Sequence, residues 1–135
     1  MFVIDASITL AWCFGDEASP LADRVLERLE SESALAPAHW PLEVANALWT
    51  AERRGRLDPD DLERVRRLLT ALPVEIAPVE LSTALWGVLE DARDRDLPVY
   101  DAAYLGLASA RGLPLATVDE RLAAACRAAG VELAS

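Results

Sequence analysis

Apolar runs too short for helices alternate with helical stretches along the whole chain, and that alternation limits the fold more than any other feature. "FVID" at the start, "ALAPA" from residue 34, "VEIAPV" from 74, "PLATV" from 114 and "VEL" from 131 read as buried strands. Helices are expected between them. One runs from Ser7 to Phe14, and Pro20 opens the next as its first residue. Pro41 opens "LEVANALWTAERR", which Gly55 ends, and Asp58 with Pro59 starts another. In that helix Leu62, Val65, Leu68, Leu69 and Leu72 share one face. Residues 80–95 carry a stripe of Leu81, Leu85, Val88, Leu89 and Ala92, Asp101 begins a further helix, and Gly130 caps "DERLAAACRAA". Strands alternating with helices predict an α/β fold, a three-layer α/β/α sandwich whose parallel sheet is covered on both faces. The 135 residues suit one domain spanning 1–135, with no linker, repeat or low-complexity segment.

Charge narrows the function. The net charge is −10, and all 13 cationic side chains are arginines. Such a balance argues against loose, charge-driven binding of nucleic acid. It leaves room for a nuclease, because a cluster holding a cation itself consists of carboxylates. Arg53, Arg54 and Arg56 form a local basic patch that either meets phosphates or ends a helix in solvent. The first residues lack the basic and longer apolar regions of a signal peptide, and no apolar run is long enough for a membrane span. Cys13 and Cys126 show neither metal-binding nor redox spacing. A cytoplasmic protein without membrane contact is expected.

Four carboxylates stand out. Ligands of open parallel sheets bind outside the carboxyl ends of the strands. Asp5 follows "FVI" and Asp119 follows "LATV", so both fall on that rim. Either alone reads equally well as a helix N-cap. Asp101 heads an otherwise apolar helix, "VYDAAYLGLA", and either caps it or joins the same cluster. Glu43, Asn46 and Thr50 make a narrow polar arc on a mostly apolar helix, as the wall of a cleft does, although a glutamate near a helix N-terminus also suits the helix dipole. Oxygen ligands without a histidine–cysteine set select Mg²⁺ or Mn²⁺. The single histidine, His39, reads as a loop residue without a role. No glycine-rich phosphate loop is present. A phosphorylated receiver domain needs a lysine this chain lacks, and "DAS" lacks the second acid of an aspartate-nucleophile phosphatase.

"VIDAS", "PLEVANAL", "YDAAYLGLA" and "LATVDERL", in that order, resemble the motifs of PIN-domain ribonucleases, above all VapC-type toxins of bacterial toxin–antitoxin pairs. The resemblance covers nearly the whole chain. It implies an acidic quartet at Asp5, Glu43, Asp101 and Asp119, serving both catalysis and metal binding, with Ser7, Asn46 and Thr117 in support. Arg121 stands where the family often has a further acid. The resemblance also implies a five-stranded sheet, a homodimer, an RNA substrate and a small antitoxin that blocks the site. Hydrolysis of an RNA phosphodiester needs an activated water and charge neutralisation on the phosphate, which one or two carboxylate-held Mg²⁺ ions supply. The rival is a PIN-like module that binds RNA or protein without cutting.

Two further expectations concern surfaces. Trp86 lies off the stripe of its helix, and the helix bearing Val44 and Leu48 is more apolar than one core contact needs, so both are expected at a twofold dimer interface. Trp12 and Trp40 follow closely after rim strands and either anchor an apolar segment of the antitoxin or, as is commoner for any one such residue, pack in the core. A basic C-terminal segment of that antitoxin, placing an arginine in the acidic cluster, is expected to compete with the cation.

Overall fold

The computed structural model describes residues 1–135. Strand β1 (Phe2–Ile4) is wholly buried, as expected of an apolar run with no polar alternation. Helix α1 (Ala6–Cys13) follows at once, capped by Asp5. Helix α2 (Pro20–Arg28) has Ser19 as its cap and Pro20 in its first turn, where a missing N–H costs nothing. Strand β2 (Ala34–Pro37) leads into α3 (Trp40–Arg53), and Gly55, at φ 75°, turns the chain after it. Asp58 caps α4 (Pro59–Ala71), which precedes β3 (Val74–Ala77). Residues 81–95 begin as α5 (Leu81–Thr83), pass through a π-helical turn (Ala84–Val88) and end as α6 (Leu89–Arg95). Helix α7 (Val99–Arg111), strand β4 (Leu115–Ala116) and helix α8 (Glu120–Ala129) complete the order.

The sheet is parallel throughout, in the order β3-β2-β1-β4, with helices flanking it. It has four strands, where five were expected. The segment "VEL" contributes one parallel bridge, Leu115 to Leu133, held by bonds of Leu115 N–H to Glu132 and of Ala134 N–H to Leu115.

The chain builds outward from β1 to β2 and β3, then returns to place β4 on the other side of β1. Sequence order reverses between β1 and β4, the kind of switch point where open parallel sheets hold their ligands. Asp5 leaves one of these strands, and Thr117 with Asp119 leaves the other.

Helix cover is incomplete in two places. In the stripe of residues 81–95 only Ala92 is buried, whereas Leu81, Leu85 and Leu89 face solvent. Edge strand β3 likewise leaves Glu75 and Ile76 exposed, so cover on both faces does not extend to it. Helical spacing reveals an amphipathic face but not what it packs against. In α3 the inward residues are Trp40, Val44, Leu48 and Ala51, so Val44 and Leu48 belong to the core and not to a free surface. Leu42 and Trp49 are the exposed apolar residues of that helix. Both cysteines are buried and unpaired, and burial pushes each thiol up to about 11, away from nucleophilic use. No helix is long and apolar enough to cross a membrane.

Candidate active site

Asp5 is the fixed point of the rim. It is 3% exposed, yet both carboxylate oxygens are satisfied. Oδ1 accepts from the Ile8 N–H at 2.9 Å, Ser7 Oγ donates at 2.8 Å to either oxygen, and the Thr117 hydroxyl donates to Oδ2. One aspartate therefore caps α1 and ties the end of β1 to the end of β4. Burial pushes its pKa up to about 6 against the opposing pull of those three donors, and Asp119 adds to the rise by repulsion.

Thr117 and Ser7 hold more than Asp5. Thr117 Oγ1 accepts the Asp119 N–H at 3.0 Å, and Ser7 Oγ accepts the Val118 N–H at 3.0 Å. The loop after β4 is thus pinned to the loop after β1 by two hydroxyls 3.1 Å apart. Asp119 caps α8 through Oδ1, which accepts from the Leu122 N–H at 3.0 Å.

Asp101 does not cap its helix. Helix α7 starts at Val99, ahead of the expected start, with Pro98 in the capping position and no side-chain cap bond. Asp101 sits half-buried in the first turn. Burial first, then repulsion from Asp119 and Glu43, raises its pKa, while Arg121 and His39 pull it down. Glu43 lies half-buried on the first turn of α3. Contact with His39, ahead of the Tyr104 hydroxyl, holds its carboxyl below the ordinary range. Asp101 thus feels both Asp119 and Glu43, and Asp5 feels Asp119.

A divalent cation suits this donor chemistry: oxygens only, half-buried to exposed at Asp101, Glu43 and Asp119, and under mutual repulsion. No three of the side chains stand close enough together to be a preformed ligand set. Asn46, the remaining supporting candidate, is exposed beside Glu43 and lines a cavity there.

Two residues at this rim escaped the sequence reading. Tyr104 is 1% exposed and donates its hydroxyl to Glu43 Oε1 at 2.8 Å. Burial, then this bond and the charge of Glu43, raises the phenol pKa, so it stays a donor. His39 stacks on Tyr100 at 4.7 Å, meets Tyr104 edge-on at 4.8 Å, and holds a buried Nε2 3.5 Å from Glu43 Oε1 without a hydrogen bond. The signal was spacing: Tyr104 is three residues beyond Asp101 and His39 four before Glu43, each pair sharing a helical face.

Trp12 and Trp40 are not free anchors. The Trp40 indole donates to Thr9 Oγ1 at 3.0 Å inside the core, and the Trp12 indole donates to the Ala22 carbonyl at 2.8 Å. The basic patch is partly engaged as well. Arg56 pairs with Asp16 at 3.0 Å and lies over Phe14, and Arg53 lies over Trp49. Arg121 donates to the Asp96 carbonyl beside the rim.

Comparison with known proteins agrees with this architecture. A family model described as "PIN domain" matches residues 2–128. "Ribonuclease VapC3" of Pyrobaculum aerophilum is 35% identical over 125 residues, covering 90% of this chain and 91% of that protein. "Ribonuclease VapC12" of Mycobacterium tuberculosis is 35% identical over 124 residues, covering 91% and 90% respectively. The crystal structure of PAE2754 from Pyrobaculum aerophilum superposes with a TM-score of 0.67 at 30% identity, over 91% of this chain and 77% of the other. A toxin–antitoxin complex from Klebsiella pneumoniae gives a TM-score of 0.60 at 17% identity, over 88% and 87%.

Proposed function

Because the chain belongs to the PIN-domain family, we propose that it is a VapC-like endoribonuclease toxin, dependent on Mg²⁺ or Mn²⁺ and restrained by an antitoxin. The observation that supports the reading is the placement of Asp5 and Asp119 just beyond β1 and β4 at the switch point, with Asp101 repelled by both Asp119 and Glu43. The relatives named as ribonucleases support RNA as the substrate.

Each carboxylate has a distinct part. Asp5, locked by Ser7, Ile8 and Thr117, is the rigid reference. Tyr104 bonds Oε1 of Glu43, and the cap bond to Leu122 uses Oδ1 of Asp119, so each keeps a second oxygen for a cation. Asp101, free of any capping duty, is the carboxylate best able to turn toward it. When bound, Mg²⁺ supplies positive charge at the scissile phosphate and makes the attacking water more acidic. Asp5, Glu43, Asp101 and Asp119 would hold the cation, whose charge would offset part of their own where a phosphate approaches.

The same cluster favours a basic segment of a small antitoxin, whose arginine replaces the cation. The toxin–antitoxin complex of similar fold supports such a partner. A homodimer is proposed through residues 81–95, where Leu81, Leu85 and Trp86 are 74%, 50% and 82% exposed. The test of the enzymatic reading is cleavage of a single-stranded RNA by purified protein. Mg²⁺ or Mn²⁺ should permit cutting, EDTA should stop it, and added antitoxin should inhibit less as Mn²⁺ rises. Cutting that is indifferent to EDTA refutes the metal, and intact RNA under all conditions favours the binding-only rival.

A further inference from the structure

A cavity of about 240 Å³ opens directly beside Glu43, lined by His39, Leu42, Glu43, Asn46 and Tyr100. Its volume lies below the roughly 300–1,000 Å³ of sites that take drug-sized ligands, which suits one small planar ring system. No arginine lines it, and Glu43 places a carboxylate on its wall, which disfavours a phosphate there.

Its walls have the chemistry of a base-binding site. Tyr100 is 59% exposed, yet its ring is held nearly parallel to His39, with 16° between the planes. Tyr104 also packs edge-to-face with His39, at 4.8 Å. Tyr100 is therefore an exposed aromatic face with little freedom left to lose on binding. Asn46 is exposed on the next turn of α3 from Glu43, and its amide offers a donor and an acceptor together, as the edge of a nucleobase requires. His39 adds a buried Nε2 with no hydrogen-bond partner, on the same wall. Core packing explains none of the exposed apolar area of Tyr100 and Leu42. Proteins that read single-stranded RNA stack unpaired bases on such rings and bond their edges with such amides.

We propose that this cavity holds one unstacked nucleobase of a single-stranded RNA, next to the phosphate to be cut, with Tyr100 as the stacking face and Asn46 reading the base edge. The inference rests on the ribonuclease reading for its substrate, and its test separates the two. The binding arm uses Asp5→Asn protein with Mg²⁺ and a short RNA carrying 2-aminopurine at successive positions. One position should lose fluorescence on binding. Adding Tyr100→Ala should abolish that loss and weaken affinity about tenfold, within the range of base–aromatic stacking. Tyr100→Phe should restore both. In protein with Asp5 intact, Tyr100→Ala should raise KM more than it lowers kcat, and Asn46→Ala should alter which nucleotide is preferred beside the cut. Equal affinity and equal quenching with and without the Tyr100 ring overturn the pocket, even if RNA is cut. Quenching that depends on Tyr100 in a protein that cuts no RNA supports the pocket and refutes the ribonuclease.

Discussion

The Thr117 hydroxyl donates to Asp5 across 112 residues of chain, joining the ends of the two strands where the sheet changes direction. That bond makes a rim out of two separate loops. It also opposes the burial that drives the Asp5 pKa upward.

Thr117→Val keeps the shape of the side chain and removes the donor. The substitution should cost about 1–3 kcal/mol, because it leaves a buried carboxylate short of a partner. It should also move the Asp5 pKa above about 6 and weaken cation binding. Urea unfolding and NMR titration of the carboxyl check both; unchanged stability contradicts the role of the hydroxyl.

Asp5 itself gives a pH signature in the absence of metal. Its carboxyl moves from an ordinary 3.8 to about 6 on folding, so between these values the folded state binds more protons. The associated stability is complete below about pH 4 and is lost as pH rises through about 6, an amount of about 3 kcal/mol. Asp5→Asn cannot titrate and can still accept the Ile8 cap bond. The wild type should therefore fall relative to the variant across that window, measured by unfolding in EDTA. Parallel curves from pH 4 to 7 contradict the burial of a charge at this position.

Asp101→Asn relieves repulsion with Asp119 and Glu43. The raised pKa of Asp101 means that its charge costs stability above the ordinary carboxylate range. In EDTA at pH 7 the variant should melt higher than the wild type. Mg²⁺ should then stabilise the wild type more, since a ligand of the folded state adds stability that grows with the logarithm of its affinity. Equal metal-induced shifts in the two proteins deny Asp101 a place at the cation.

Residues 81–95 should form the twofold contact. Trp86, 82% exposed, follows Leu85 in the π-helical turn, which breaks the regular spacing of the helix. Trp86→Arg should convert a dimer into a monomer by sedimentation at micromolar concentration, without loss of secondary structure. A wild-type monomer under those conditions refutes the interface.

Much of this was legible in the sequence, for identifiable reasons. The run "FVI" has no polar residue, which only a strand buried on both faces tolerates, and Asp5 and Asp119 follow from the rule that sites lie beyond strand ends. The last expected strand, "VEL", pairs with β4 only at the Leu133 bridge. Of the two roles open to Trp12 and Trp40, packing is the one found, and the acceptors of their indole N–H groups, the Ala22 carbonyl and Thr9, become neighbours only on folding. The stripe ending at Ala92 is plain in the sequence, but periodicity carries no information about what it packs against. His39 was set aside as a loop residue, although its distance of four positions from Glu43 already put the pair on one face.

Cleavage of a single-stranded RNA by wild type, Asp5→Asn and Asp101→Asn, side by side with Mg²⁺ and with EDTA, tests the central claim most directly. The four-carboxylate account predicts cutting by the wild type with metal alone, and a loss of at least a hundredfold in both folded variants, about 2.7 kcal/mol of transition-state stabilisation. Undiminished cutting by folded Asp5→Asn, or cutting that persists in EDTA, contradicts it.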